Sequence, residues 1–113
     1  MSQTEISRRA VAYISIGNSD DELPQREWAD FARRVEQAIG IAASYRGGHI
    51  HGNWHSKPTD PWQNACWALQ LPVDLDAISR LRADLIRLAG EYRQDSIAWA
   101  LADTTTFLRP EKA

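Results

Sequence analysis

With a single cysteine among its 113 residues, the chain cannot close an internal disulfide, so stability has to come from packing and a reducing compartment is expected. It also has no apolar run approaching the roughly 20 residues needed to span a bilayer. The opening stretch MSQTEISRRA has no apolar block of the kind a secretory leader needs, so a cytoplasmic location without membrane attachment is expected. Excess positive charge is missing too: 13 Lys and Arg against 15 Asp and Glu give a formal net charge of −2. A protein whose main partner is a phosphate backbone relies on a basic stripe that releases counterions, so nucleic acid is disfavoured. No internal repeat or low-complexity segment is present. What is there, 25% charged and 43% hydrophobic residues, is the composition of a globular chain with one core. A single α+β domain is expected over residues 9–109, with flexible ends at 1–8 and 110–113.

The apolar pattern divides this domain into six elements. RAVAYISIG, from Arg9 to Gly17, is rich in β-branched and aromatic residues and apolar on both alternating faces, as a central strand should be. Trp28, Phe31, Ala32, Val35, Ala38 and Ile39 recur at helical spacing after Pro24, with Gly40 as the expected stop. Ser44 to Ser56 and Trp62 to Leu71 alternate on either side of a turn-forming cluster, Lys57 to Pro61, and read as a hairpin. Asp74 can cap a second helix whose stripe is Leu75, Ile78, Leu81, Leu85 and Leu88, ending near Gly90. SIAWAL, from Ser96, is a last short strand, and the tail through Thr104 to Leu108 either extends it or folds back over the sheet. The order βαββαβ is the ferredoxin-like arrangement, an antiparallel sheet with two helices on one face. Its other face needs a cover, and a homodimer is the expectation by analogy with the fold.

Chemistry concentrates in RGGHIHGNWHSKPTDPWQNACW, residues 46–67, which hold all 3 histidines, the cysteine and three of the 5 tryptophans. If the turn centres between Pro58 and Thr59, His55 pairs with Trp62, Asn53 with Asn64, His51 with Cys66 and His49 with Ala68. Ile50, Trp54, Ala65, Trp67, Leu69 and Leu71 then share the apolar face, and burial selects against a slipped register. The open face collects His49, His51, Asn53, His55, Trp62, Asn64 and Cys66. A two-residue turn at Gly52-Asn53 is the competing arrangement, and it would throw His55 to the face opposite His49.

Four functions fit that open face. His49, His51 and Cys66 could hold zinc with one position open, since His-x-His on a strand sets two imidazoles about 6–7 Å apart. Cys66 beside His51, with Asn64 orienting the ring, has the composition of a thiol nucleophile, although a mid-strand cysteine lacks a helix N-terminus to activate it. Paired histidines could act as general acid and base in a small hydrolase, with Arg46 holding a phosphate. The fourth, preferred here, is binding without chemistry: a small interaction module in which Trp62 and the histidines take a partner protein or small ligand. Asp20 and Asp21 lack the spacing of a calcium loop and read as a solvated turn.

Overall fold

A computed structural model of the chain describes residues 9–18, 22–57, 59–60, 63–102, 106 and 108–111. Its elements follow the expected order: β1 (Arg9–Gly17), α1 (Gln25–Ala43), β2 (His49–His55), β3 (Asn64–Pro72), α2 (Leu75–Glu91) and β4 (Ala98–Ala102). The four strands form one sheet in the order β2-β3-β1-β4, and each neighbouring pair is antiparallel. This is the ferredoxin-like α+β fold. Two split βαβ units give it: α1 carries the chain over one face to β2, one strand away from β1, β3 fills the gap between them, and α2 crosses the same face to β4 on the other side of β1.

Both helices lie on the same face. Ala12, Ile14 and Ile16 of β1 and Ala65, Trp67, Leu69 and Leu71 of β3 alternate inward, and Phe31, Val35, Ile39, Leu81, Leu85 and Leu88 descend onto them. The periodicity read from the sequence is therefore the packing itself. Of the expected α2 stripe, Ile78 is only partly buried, and the Leu75 side chain lies outside what is described.

Helix boundaries depend on groups that propensity does not reveal. The helix α1 starts without a side-chain cap, Trp28 N–H donating to Pro24 O at 2.9 Å. Buried Asn18 braces the approach to it, accepting from Leu23 N–H at 3.0 Å and donating to Leu23 O at 2.9 Å. At its other end α1 runs through Gly40 to Ala43, so Gly40 is not the stop expected from the sequence. Asp74 caps α2 as expected, accepting from Asp76 N–H at 2.9 Å. Gly90 stays inside this helix, and the left-handed residue that ends it is Arg93 at φ 58°, whose guanidinium donates to Glu27 at 2.7 Å. Tyr92 ties the helices together by donating to Asp30, while Arg34 donates to Glu91 at 2.6 Å. The Tyr92 hydrogen bond, helped by Arg33, holds the Asp30 carboxyl below its usual range, and burial pushes the Tyr92 phenol up.

The loop that would turn the hairpin includes Pro58, Pro61 and Trp62, which lie outside the described residues, as do residues 1–8, 19–21 (with Asp20 and Asp21), 103–105 and 107. Among the described residues, no helix is long and apolar enough to cross a membrane.

Candidate functional site

The hairpin forms, but not in the expected register. His49 pairs with Gln70 and Ile50 with Leu69, after which Gly52 rather than His51 meets Ala68. His51 is the extra residue of a β-bulge. Beyond it Asn53 pairs with Trp67, Trp54 with Cys66 and His55 with Ala65. One extra residue inverts every later side chain because the strand period is two. Trp54 thus goes to the open face, where it is 56% exposed, and not to the core as its alternation suggested. Asn53 and His55 move to the helix side. The two-residue turn at Gly52-Asn53 is also excluded, since β2 runs straight through it, although its separation of His55 from His49 is what occurs.

The two-residue offset at His49 and the inversion after His51 together disperse the expected constellation. His49 and His51 remain neighbours, with ring centroids 5.1 Å apart. Cys66, however, lies opposite Trp54 and Ser15, not His51, and about 13 Å along β3 from Gln70, the partner of His49. The proposed zinc set of His49, His51 and Cys66 is therefore not assembled, and among the described residues no three His, Cys, Asp or Glu side chains come together to hold a metal. Nor does a His51–Asn64–Cys66 catalytic arrangement form across the ladder. Trp62 lies outside the described residues. His55 instead faces α1: its ring stands edge-on to Trp67 at 5.5 Å, and Nε2 is 3.8 Å from Glu36, which accepts from Trp67 Nε1 at 3.2 Å. Beside them a groove of about 490 Å³ runs between α1 and the hairpin end, with Gln25 and Gln63 hydrogen bonded across it at 2.9 Å.

The bulge has a direct test. Deleting His51 would join Ile50–Leu69 to Gly52–Ala68 as consecutive pairs of a regular ladder and leave Trp54 where it is. The deletion variant is expected to melt within a few degrees of the wild type with Trp54 still accessible to acrylamide quenching. Loss of the fold, or burial of Trp54, would mean that the bulge does not set the faces.

With the inversion in place, the open face of the sheet has a simple composition. Across β2, β3, β1 and β4 its rows read Trp54, Cys66, Ser15, Ala98, then Gly52, Ala68, Tyr13, Ala100, then His49, Gln70, Val11, Ala102. Most of these side chains are small. Two large aromatics rise from them, Trp54 at the β2 edge and Tyr13, 46% exposed, on a central strand. No Asp, Glu, Lys or Arg falls within these three rows, and Arg9 stands beyond them at the start of β1. The sequence reading missed Tyr13, Trp54 and the β4 alanines. The signal for Tyr13 was available, since β1 puts Ala10, Ala12, Ile14 and Ile16 on one side and Tyr13 on the other. For Trp54 there was none without knowledge of the bulge.

No protein-family model matches the chain, and no curated protein matches it. Solved structures match the fold. A de novo designed protein, Foldit4, superimposes with a TM-score of 0.60 at 13% identity over 88% of this chain and 99% of its own. A DUF3240 family protein from Shewanella baltica gives 0.52 at 8% identity over 94% of this chain and 100% of its own. An unknown protein from Galdieria sulphuraria gives 0.52 at 11% identity over 93% of this chain and 54% of that one. At these identities the likeness extends to the fold alone.

Proposed function

We propose that the protein is a small interaction module whose open sheet face binds a flat apolar surface of a protein partner. The observation that carries this reading is the exposure of Trp54 and Tyr13 on a sheet face free of formal charge through its three central rows. An apolar patch of this extent is unusual on a solitary domain and marks a contact surface. The aromatics supply area at low entropic cost, and the alanines between them allow close approach. A nucleic-acid partner has less support, because the same face has aromatics for stacking but no cationic groups among them to neutralise phosphates. The alternative, a small hydrolase on the same hairpin, has less support as well. Its histidines are divided between two faces, and the His55–Glu36 approach of 3.8 Å is longer than a hydrogen bond.

An apolar dye tests the reading. In dilute protein 8-anilinonaphthalene-1-sulfonate is expected to bind and to quench Trp54 by energy transfer, and the Tyr13→Glu/Trp54→Glu variant, still folded by circular dichroism, should lose at least about tenfold in dye affinity. Unchanged dye binding in that variant would place the sticky surface elsewhere, for instance in the groove of about 430 Å³ between α2 and β4 lined by Ile86, Ile97 and Trp99.

A further inference from the structure

Resting on that reading, we infer that the partner is a second copy of this chain, docked sheet to sheet about a two-fold axis that runs parallel to the strands between β3 and β1. Rotation about such an axis keeps each residue in its row and reverses the strand order, so that β2 lies over the partner's β4 and β3 over the partner's β1. The rows then match large against small. Trp54 meets the partner's Ala98, Tyr13 meets the partner's Ala68, and Cys66 meets the partner's Ser15, each contact occurring twice by symmetry. Packed sheets are rotated by about 30° because each is twisted, which slides an edge strand by less than one row. Trp54 is still received by alanine, because all the outward residues of β4 from Ala98 to Ala102 are alanine. The other in-plane axis, perpendicular to the strands, stacks Tyr13 on its own copy and sets the β4 alanines against each other across a gap. Sheets packed about 10 Å apart do not tolerate both an overfilled centre and an empty edge.

Area and charge agree with a self-pairing. Strands of nine, seven, nine and five residues at about 3.3 Å rise and 4.8 Å spacing present a face of roughly 500 Å². Two such faces cover about 1,000 Å², the lower bound for a specific interface, so a micromolar dimer is expected. With no formal charge in the three rows, nothing on the face repels its own copy. The chain's net charge of −2 adds little to that balance.

Compensating substitutions test both the partner and the axis. Sedimentation equilibrium of the full chain should show a monomer–dimer equilibrium. Trp54→Ala, which leaves the socket empty, and Ala98→Trp, which sets ring against ring, should each weaken it by at least about tenfold, the loss expected when a large aromatic anchor loses its fit. The double variant Trp54→Ala/Ala98→Trp, or its counterpart with Ala100→Trp, should recover most of the lost affinity, because knob and socket have changed places. If both double variants stay as weak as the singles while Tyr13→Glu abolishes dimerisation, the face is used but this axis is wrong. A wild-type protein that stays monomeric at high concentration yet binds the dye at Trp54 overturns the second-copy inference and leaves the interaction face to a different partner. Circular dichroism of each variant separates these outcomes from misfolding.

Discussion

Replacing Trp67 by alanine is expected to remove about 3–5 kcal/mol of folding free energy, the range found when a large aromatic is deleted from a core that cannot collapse. Trp67 is fully buried at the centre of β3, on the face against which the helices pack. Its neighbours are fixed from several sides: Ile14 lies across the β1 ladder, Asn53 across the β2 ladder, and the His55 ring stands against its edge. Relaxation into the hole would require β2 and α1 to move together. A domain of this size has a total stability of about 5–15 kcal/mol, so the variant should give up at least about a fifth of it and melt well below the wild type. Trp67→Phe separates volume from hydrogen bonding. It keeps most of the packing and gives up only the N–H donated to Glu36, a half-exposed carboxylate that water can satisfy, so a cost of about 1–2 kcal/mol is expected. Urea titration measures both, and a loss below about 1.5 kcal/mol for Trp67→Ala would mean that this side chain does not seat α1 on the sheet. Because Trp67 faces away from the open side, Trp67→Phe should leave self-association unchanged.

Trp67 and Trp54 also show which parts of the molecule were legible in the sequence. In β1, β3 and the two helices the apolar period matches the structure with no extra residue, so alternation read as burial is correct at Ile14, Trp67, Leu69, Phe31 and Leu85. The element order then leaves few ways to connect six pieces, and the fold follows. In β2 the same reasoning fails: the pairing is offset by two residues from His49, opposite Gln70 instead of Ala68, and from Gly52 onward the faces are reversed as well. A bulge adds a residue without any change in composition, and His-Ile-His-Gly-Asn-Trp-His alternates just as well in either phase. Both faces of the end of β2 are exposed, so burial does not select the register there as it does in β3. The candidate site was built on that segment, and for this reason its members disperse while the core stands. The end of α1 illustrates a smaller failure of the same kind, in which Gly40 has the residue type of a stop but the helix runs on to Ala43 and closes at Ser44, whereas α2 does end near Gly90, at Glu91.

A methyl group at Gly48 should be costly at a position where composition alone suggests a permissive loop. A Cβ built there lies 2.8 Å from both Ala42 O and Ala43 O and 3.0 Å from Ala43 C, closer than such atoms are found in proteins. All three are backbone atoms of the end of α1, so no side chain can turn away to make room. The Gly48 N–H is held as well, donating to Tyr45 O at 2.8 Å. Gly48→Ala must therefore push the start of β2 off the end of α1 or break that turn, at a cost of about 1–3 kcal/mol for an overpacked contact, and Gly48→Val should cost more. Gly52, inside the strand that Gly48 leads into, is the control, with nothing within 4 Å of its Cβ position, so Gly52→Ala should change stability by no more than about 0.5 kcal/mol. The functional consequence follows from what Gly48 anchors. It fixes where β2 leaves the helix, hence the offset of the strand that carries Trp54 to the open face. In Gly48→Ala molecules that remain folded, the proposed dimer should weaken even though the substituted residue lies outside the interface. Equal melting temperatures for Gly48→Ala and Gly52→Ala would show that the α1–β2 junction is looser than these distances imply.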